Sequence, residues 1–193
     1  MNFIQSISWQ DIFAHWRERE ASNPGWIKCA TEIKGWSSWD EWRDFTAEQI
    51  SAESREWNLY QFTNPMDEIP QMLMGPYSGW QKYSDKKNAL SFADLLEIPE
   101  AYDAFSKHSG VLRIMDGLPF STEMIGLWCK EKDRIICIEG HHRATAIALA
   151  KKQGREIDFS GAEMRIALAE IRAEELPLLD TILERGTSKE SYA

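Results

Sequence analysis

The sequence lacks paired cysteines. Three stand at positions 29, 129 and 137, none in a CxxC spacing, and their number is odd. A disulfide framework is excluded, and Cys29, Cys129 and Cys137 read as buried thiols of a reducing compartment. Long apolar runs are also missing; none approaches the ~18 residues that a membrane-spanning helix needs. The N-terminus, MNFIQSISWQDIF, has no basic stretch ahead of an apolar one. No secretory signal is therefore expected, and the cytoplasm is the expected compartment. An excess of basic charge is absent too. The 22 Lys and Arg face 31 Asp and Glu, a formal net charge of −9. That balance opposes a whole-molecule nucleic-acid surface, which is usually basic. No internal repeat and no low-complexity block interrupts the chain.

What is present suits a globular protein. The 193 residues are 43% hydrophobic and 27% charged, enough for a core without metal or disulfide staples. Tryptophan is the outlier: eight of the nine lie in the first 80 residues. The asymmetry divides the chain into two segments. Residues 1–104 form a Trp-rich, mainly helical extension that wraps or precedes a core. Residues 105–193 form that core with a C-terminal helix. The expected fold class is α+β, a small mixed sheet with helices.

In the first segment, Ser8 with Asp11 and Ser38 with Glu41 read as helix N-caps, each three residues ahead of its acidic partner. Trp9, Ile12, Phe13 and Trp16 follow helical spacing, as do Trp39, Trp42 and Phe45. Thr46 with Gln49 repeats the capping pattern. Aromatics so spaced are usually core; the rival reading, a stacking platform, lacks the interleaved arginines that would support it. EWNLYQF is a short strand. GPYSGW, in the Pro- and Met-rich middle, is a turn-rich connection or a pocket-lining loop. SFADLLEIPEAYDAFSKHSG predicts helix in two pieces split at Pro99, with Gly110 as C-cap.

The second segment changes period. EMIGLWCKEKDRIICIEG predicts two strands joined by a turn at Lys130–Asp133. HHRATAIALAKKQG predicts a helix ending at Gly154. EMRIALAEI reads as strand or helix, with strand favoured because it follows a helix and the Gly161 loop; AEELPLLDTILERG predicts a last helix with Pro177 in its first turn, and TSKESYA a tail.

The strand-to-helix junction IEGHHRATA carries the chemistry. From Glu131 to Arg155 six Lys and Arg face three acids, reversing the balance of the whole chain. A helix start offers unsatisfied N–H groups and partial positive charge to an anion. Gly140 leaves room for the ligand's approach, and Arg143 adds a fork matched to phosphate or carboxylate. His141 and His142 add donors or a proton carrier near neutral pH, and Thr145 lies one turn on. Adjacent histidines diverge by roughly 100° on a helix, so they cannot share a metal as an i, i+4 pair does. With no third ligand nearby, no metal site is expected. A purely structural junction remains the bland alternative.

IEGHHRATAIALAKKQG, with IGLWCKEKDRIIC before it and RIALAEI after it, resembles the nucleotide-binding core of the ParB/sulfiredoxin-like superfamily. The likeness covers about residues 105 to 172. It implies phosphate binding at Gly140, His142 and Arg143, with His141 in the variable slot, and ATP or another nucleotide with Mg²⁺ as cofactors. His141 stands where sulfiredoxins carry their catalytic cysteine, so sulfinic-acid reduction is not expected. About 20 residues follow the closing element and the charge is acidic, so the helix-turn-helix domain that follows the core in chromosome-partition ParB proteins is not expected. The GHHR element is most similar to members that include a free serine kinase, with Glu139 in the acidic position. Such a kinase also needs an upstream carboxylate, for which Asp67 and Glu68 are the candidates.

Two functions follow. One is an enzyme, a Mg-dependent phosphotransferase or nucleotide hydrolase acting on a small molecule, with Glu139, His141, Asp67 and Glu68 as its catalytic candidates. The other is a non-catalytic nucleotide-sensing or protein-interaction module, for which the aromatic segment supplies a surface, including a homodimer surface. DNA binding or nuclease activity is opposed by the net charge. Asp67, Glu68 or Asp116 within reach of the junction favours the enzyme. A pocket with no carboxylate beyond Glu139 favours the module.

Overall fold

A computed structural model describes residues 1–192. The chain runs β1 (Asn2–Ile7), α1 (Trp9–Glu20), α2 (Pro24–Lys28), a π-helical turn at Cys29–Ile33, α3 (Trp39–Gln49) and β2 (Trp57–Gln61). Five short helices follow: α4 (Pro65–Glu68), α5 (Ser78–Gln81), α6 (Phe92–Glu97), α7 (Pro99–Phe105) and α8 (Ser109–Asp116). Then come β3 (Thr122–Cys129), β4 (Arg134–Glu139), α9 (His141–Lys152), β5 (Met164–Glu170) and α10 (Pro177–Arg185). The fold is α+β, as the sequence predicts. Among the described residues no helix is long and apolar enough to cross a membrane.

One mixed sheet of order β1-β2-β5-β3-β4 organises the chain. β3 and β5 are parallel, Ile125 facing Ala167, and the other pairs are antiparallel. The outer edge of β4 is covered where Leu73 N–H donates to the Ile135 carbonyl at 2.8 Å and Cys137 N–H to the Leu73 carbonyl at 2.9 Å. Two strands of the Trp-rich segment thus complete the sheet begun by the second segment.

Successive strand side chains point to opposite faces, and here both faces are buried. Ile125, Leu127, Ile136, Ile138, Ala167 and Ala169 meet the tryptophans of α1 and α3 and the apolar side of α10. Met124, Cys137, Ile166 and Leu168 meet α9 and the α6–α8 helices. Burial on two faces explains why β3, β4 and β5 read as near-continuous apolar runs instead of alternating ones. Trp9, Trp16, Trp36, Trp39, Trp42 and Trp57 are buried in the first core.

Ser8 and Ser38 cap α1 and α3 by accepting from the Asp11 and Glu41 amides, both at 3.1 Å. Two local expectations are corrected, and two structured segments are added. Thr46 starts no helix: it lies inside α3 and its hydroxyl donates to the Trp42 carbonyl at 3.0 Å. Gly110 is no C-cap; it sits in the first turn of α8, which is capped by the His108 ring accepting from Val111 N–H at 3.3 Å. β1 is an additional strand, mostly exposed, paired only with β2. The tail also has structure: Thr187 accepts from Trp36 Nε1 at 2.9 Å, and Lys189 N–H donates to the Lys34 carbonyl at 2.8 Å.

Candidate functional site

β4 ends at Glu139 and α9 begins at His141, and Gly140 makes the turn between them with φ +113°. A Cβ there would lie 2.5 Å from Met124 Cε. Glycine is therefore required by a left-handed backbone and by the packing of Met124, rather than by a ligand's approach.

His141 is buried. Its Nε2 accepts from Gly75 N–H at 3.0 Å, which places the ring proton on Nδ1, 3.7 Å from Cys137 Sγ. Gly75 is itself fixed, since a Cβ on it would fall 2.0 Å from the Cys137 carbonyl oxygen. Burial first, then the charges of His142, Arg143 and Arg43, lower the His141 pKa to about 3. The ring is thus neutral at physiological pH and pins the GPYSGW loop onto the junction. The expected proton carrier is a structural pin.

His142 is half-buried among Trp80 (ring centroids 4.9 Å apart), His108 (5.3 Å) and Trp26 (6.0 Å). Burial and His108 hold its pKa down to about 4. Arg143 donates through Nη1 to the Thr122 hydroxyl and to the Glu123 carbonyl, and through Nη2 to Glu139 Oε1. Burial opposes its charge, but Glu139 outweighs that and raises its pKa. Its fork ties α9 to β3 and β4 instead of standing open to an anion. Thr145 is fully buried: its hydroxyl donates to the His141 carbonyl at 2.7 Å and accepts from Trp80 Nε1 at 2.8 Å.

Beside this junction lies a cleft of about 800 Å³. Glu139, Gly140, His141, His142 and Arg143 form one wall, and Arg19, Glu20, Trp26, Trp42 and Arg43 face them from α1, α2 and α3. Pro76–Trp80, Gly110 and Arg113 of α8, Lys34 and Thr187 also line it. Lys34, Arg19, Arg43, Arg113 and Arg143 outnumber its carboxylates Glu20 and Glu139, a local positive excess in an acidic chain.

The wall from the Trp-rich segment is unlike the junction. The Arg43 guanidinium lies 3.8 Å from the Trp42 ring centroid, 4.6 Å from Trp16 and 5.3 Å from Trp26. Its Nη2 donates at 2.7 Å to Glu20 Oε2, which also accepts from Trp39 Nε1 at 3.3 Å. Burial raises the Glu20 pKa in spite of Arg43. Arg19 reaches toward Glu139 Oε2 with Nη2 (3.9 Å) and toward Glu123 Oε1 with Nη1 (4.0 Å), too far for hydrogen bonds. Burial lowers its pKa.

Among the described residues, eight buried side-chain N or O atoms have no hydrogen-bond partner. Five belong to this cleft: Arg19 Nε and Nη2, Trp42 Nε1, Arg43 Nε and Glu139 Oε2. Buried polar atoms are normally satisfied, so such a cluster calls for a partner that the chain does not supply. Arg19 Nε and Nη2 form one edge of a guanidinium, the geometry that matches a phosphate or carboxylate.

The structure therefore gathers Glu139, Gly140, His141, His142 and Arg143 at one cleft, with Thr145 behind them. It does not bring Asp67 and Glu68 there. Asp67 pairs with Lys151 at 2.5 Å, near the far end of α9, and Glu68 accepts from the Met1 amino group and the amides of Thr63 and Asn64. Neither lines the cleft, nor does Asp116, which pairs with Arg155. Arg19, Glu20 and Arg43 were missed by sequence reasoning. Their signal was positional: Glu20 stands four residues after Trp16 and Arg43 four after Trp39, charges on an aromatic helix face.

Few side chains here could ligate magnesium. Glu20 and Glu139 are each bonded to an arginine, and among the described residues no group of three His, Cys, Asp or Glu side chains could hold a metal ion. No protein-family model matches the chain, and neither the characterised proteins nor the solved structures searched contain a significant match.

Proposed function

We propose that the cleft binds a nucleotide and that the protein acts as a non-catalytic nucleotide-binding module. The observation that carries this reading is the cluster of unpartnered buried atoms, Arg19 Nε and Nη2 foremost, in a cleft with excess positive charge. A phosphate accepts from the Arg19 edge and from the first-turn amides of α9, which have no partners within the helix. Trp26, Trp80 and His142 line the cleft as a cluster of rings against which a base would pack. The resemblance of the GHHR element and its flanking strands to the ParB/sulfiredoxin-like core supports the same ligand class.

Binding is favoured over phosphotransfer because both cleft carboxylates are held by arginines, Glu20 by Arg43 and Glu139 by Arg143 through Oε1, with Oε2 left for a ligand contact. The test is a thermal-shift screen of ribonucleoside mono-, di- and triphosphates, with and without Mg²⁺, followed by an assay of phosphate release. A concentration-dependent rise in Tm without turnover is expected. No shift with any nucleotide refutes the binding, and steady phosphate release refutes the non-catalytic part.

A further inference from the structure

The unpartnered atoms include an acceptor as well as donors, and their arrangement specifies the ligand further. Glu139 Oε1 is bonded to Arg143, whereas Oε2 has no hydrogen-bond partner although its side chain is only 7% exposed. Arg19 Nη2, itself unpartnered, lies 3.9 Å from Oε2. Two polar atoms so close are met by neighbouring atoms of a ligand, not by its opposite ends. The ligand must offer an acceptor to Arg19 and, next to it, a hydrogen-bond donor to Glu139.

The charges around Oε2 restrict that donor. Arg19 and Arg143 both lie against Glu139, and the ligand group would sit among them. An ammonium there meets two guanidinium groups at short range and is repelled. A hydroxyl donates to the carboxylate without adding charge. A hydroxyl beside an anionic group is the chemistry of a sugar phosphate in which phosphate and hydroxyl occupy adjacent carbons.

Resting on the nucleotide reading, we propose that Glu139 is a specificity-determining residue and that the cleft selects ribonucleotides whose phosphate neighbours a free ribose hydroxyl, as in a ribonucleoside 3′-phosphate. Arg19 takes the phosphate and Glu139 takes the 2′-hydroxyl. Glu139 is held in place for this by Arg143, whose contacts to Thr122 and the Glu123 carbonyl fix the carboxylate from behind.

The test is titration calorimetry of the wild-type 193-residue chain with ribonucleoside 3′-phosphates, their 2′-deoxy counterparts and ribonucleoside 5′-phosphates. A hydrogen bond to a buried charged group is worth about ten- to a hundredfold in affinity. The 2′-deoxy 3′-phosphates should bind weaker by that factor, and the 5′-phosphates weaker than the 3′-phosphates. Glu139→Gln should shrink the ribose-to-deoxyribose ratio, but the wild-type ratio decides even if that variant does not fold. Equal affinity for ribo- and deoxyribonucleotides overturns this proposal while leaving nucleotide binding intact. Absence of binding by every nucleotide overturns both.

Discussion

The two walls of the cleft put their polar groups to different ends. On the junction side, His141 accepts from Gly75, Thr145 bridges the His141 carbonyl and Trp80, and Arg143 spends its donors on Thr122, Glu123 and Glu139. On the Trp-rich side, Arg19, Trp42 and Arg43 keep unpartnered N–H groups. The short motif that stands out in the sequence is thus mainly a frame, with Glu139 Oε2 as its exception. The unpartnered donors on which the proposed binding rests come mostly from a segment whose sequence announces only a core. The lesson is that a cation at a helix start need not be available to a ligand; what it already bonds to decides.

If the junction is a frame, disturbing it should cost stability. The largest expected effect is acid lability. In the unfolded chain His141 and His142 take up protons near pH 6.5, whereas in the fold they stay neutral down to about pH 3 and about pH 4. The unfolded state then binds more protons in between, so their stabilisation is complete above pH 6.5 and is lost as pH falls. Each histidine removes at most about 1.4 kcal/mol per pH unit. The Glu20 carboxyl, whose pKa is raised, works in the opposite sense and offsets part of the loss. Urea unfolding at pH 7.5, 6 and 5 should show a falling midpoint, with a shallower fall in His142→Asn.

Next in size, Gly140→Ala should destabilise by about 3 kcal/mol, combining left-handed backbone strain with overpacking against Met124. Thr145→Val should cost about 1 kcal/mol, the bond from Trp80 Nε1, in the same measurement. Arg19→Ala should change stability least, by under about 1 kcal/mol, because its ion pairs are long and its side chain is partly exposed. A loss of several kcal/mol in Arg19→Ala would erase the contrast between the walls.

Much of the frame was legible in the sequence. RIICIE reads as a strand and MRIALAE as a strand or a helix, with the preceding helix and Gly161 loop favouring the strand found, and the Ser8 and Ser38 caps follow from local spacing. β1 was not legible, because NFIQSI is an edge strand with mostly exposed side chains and so shows no alternation. Gly110 misled because α8 is capped by a histidine, His108, instead of by the usual short polar residue. At the site, Glu139 to Arg143 were found because they are contiguous. Arg19, Glu20 and Arg43 were not, because only the packing of α1 and α3 on the sheet carries them to residues more than ninety positions away. Asp67 and Glu68 show the converse: their apparent availability disappears once Lys151 and the N-terminus are placed beside them.

The most direct test is a thermal-shift titration of wild type, Arg19→Ala and Thr145→Val with ribonucleoside 3′- and 5′-phosphates. The account predicts a ligand-induced rise in Tm for wild type and for Thr145→Val, and at least a tenfold weaker response for Arg19→Ala, whose own stability is nearly unchanged. An Arg19→Ala protein that responds to the same nucleotides as strongly as wild type would contradict it.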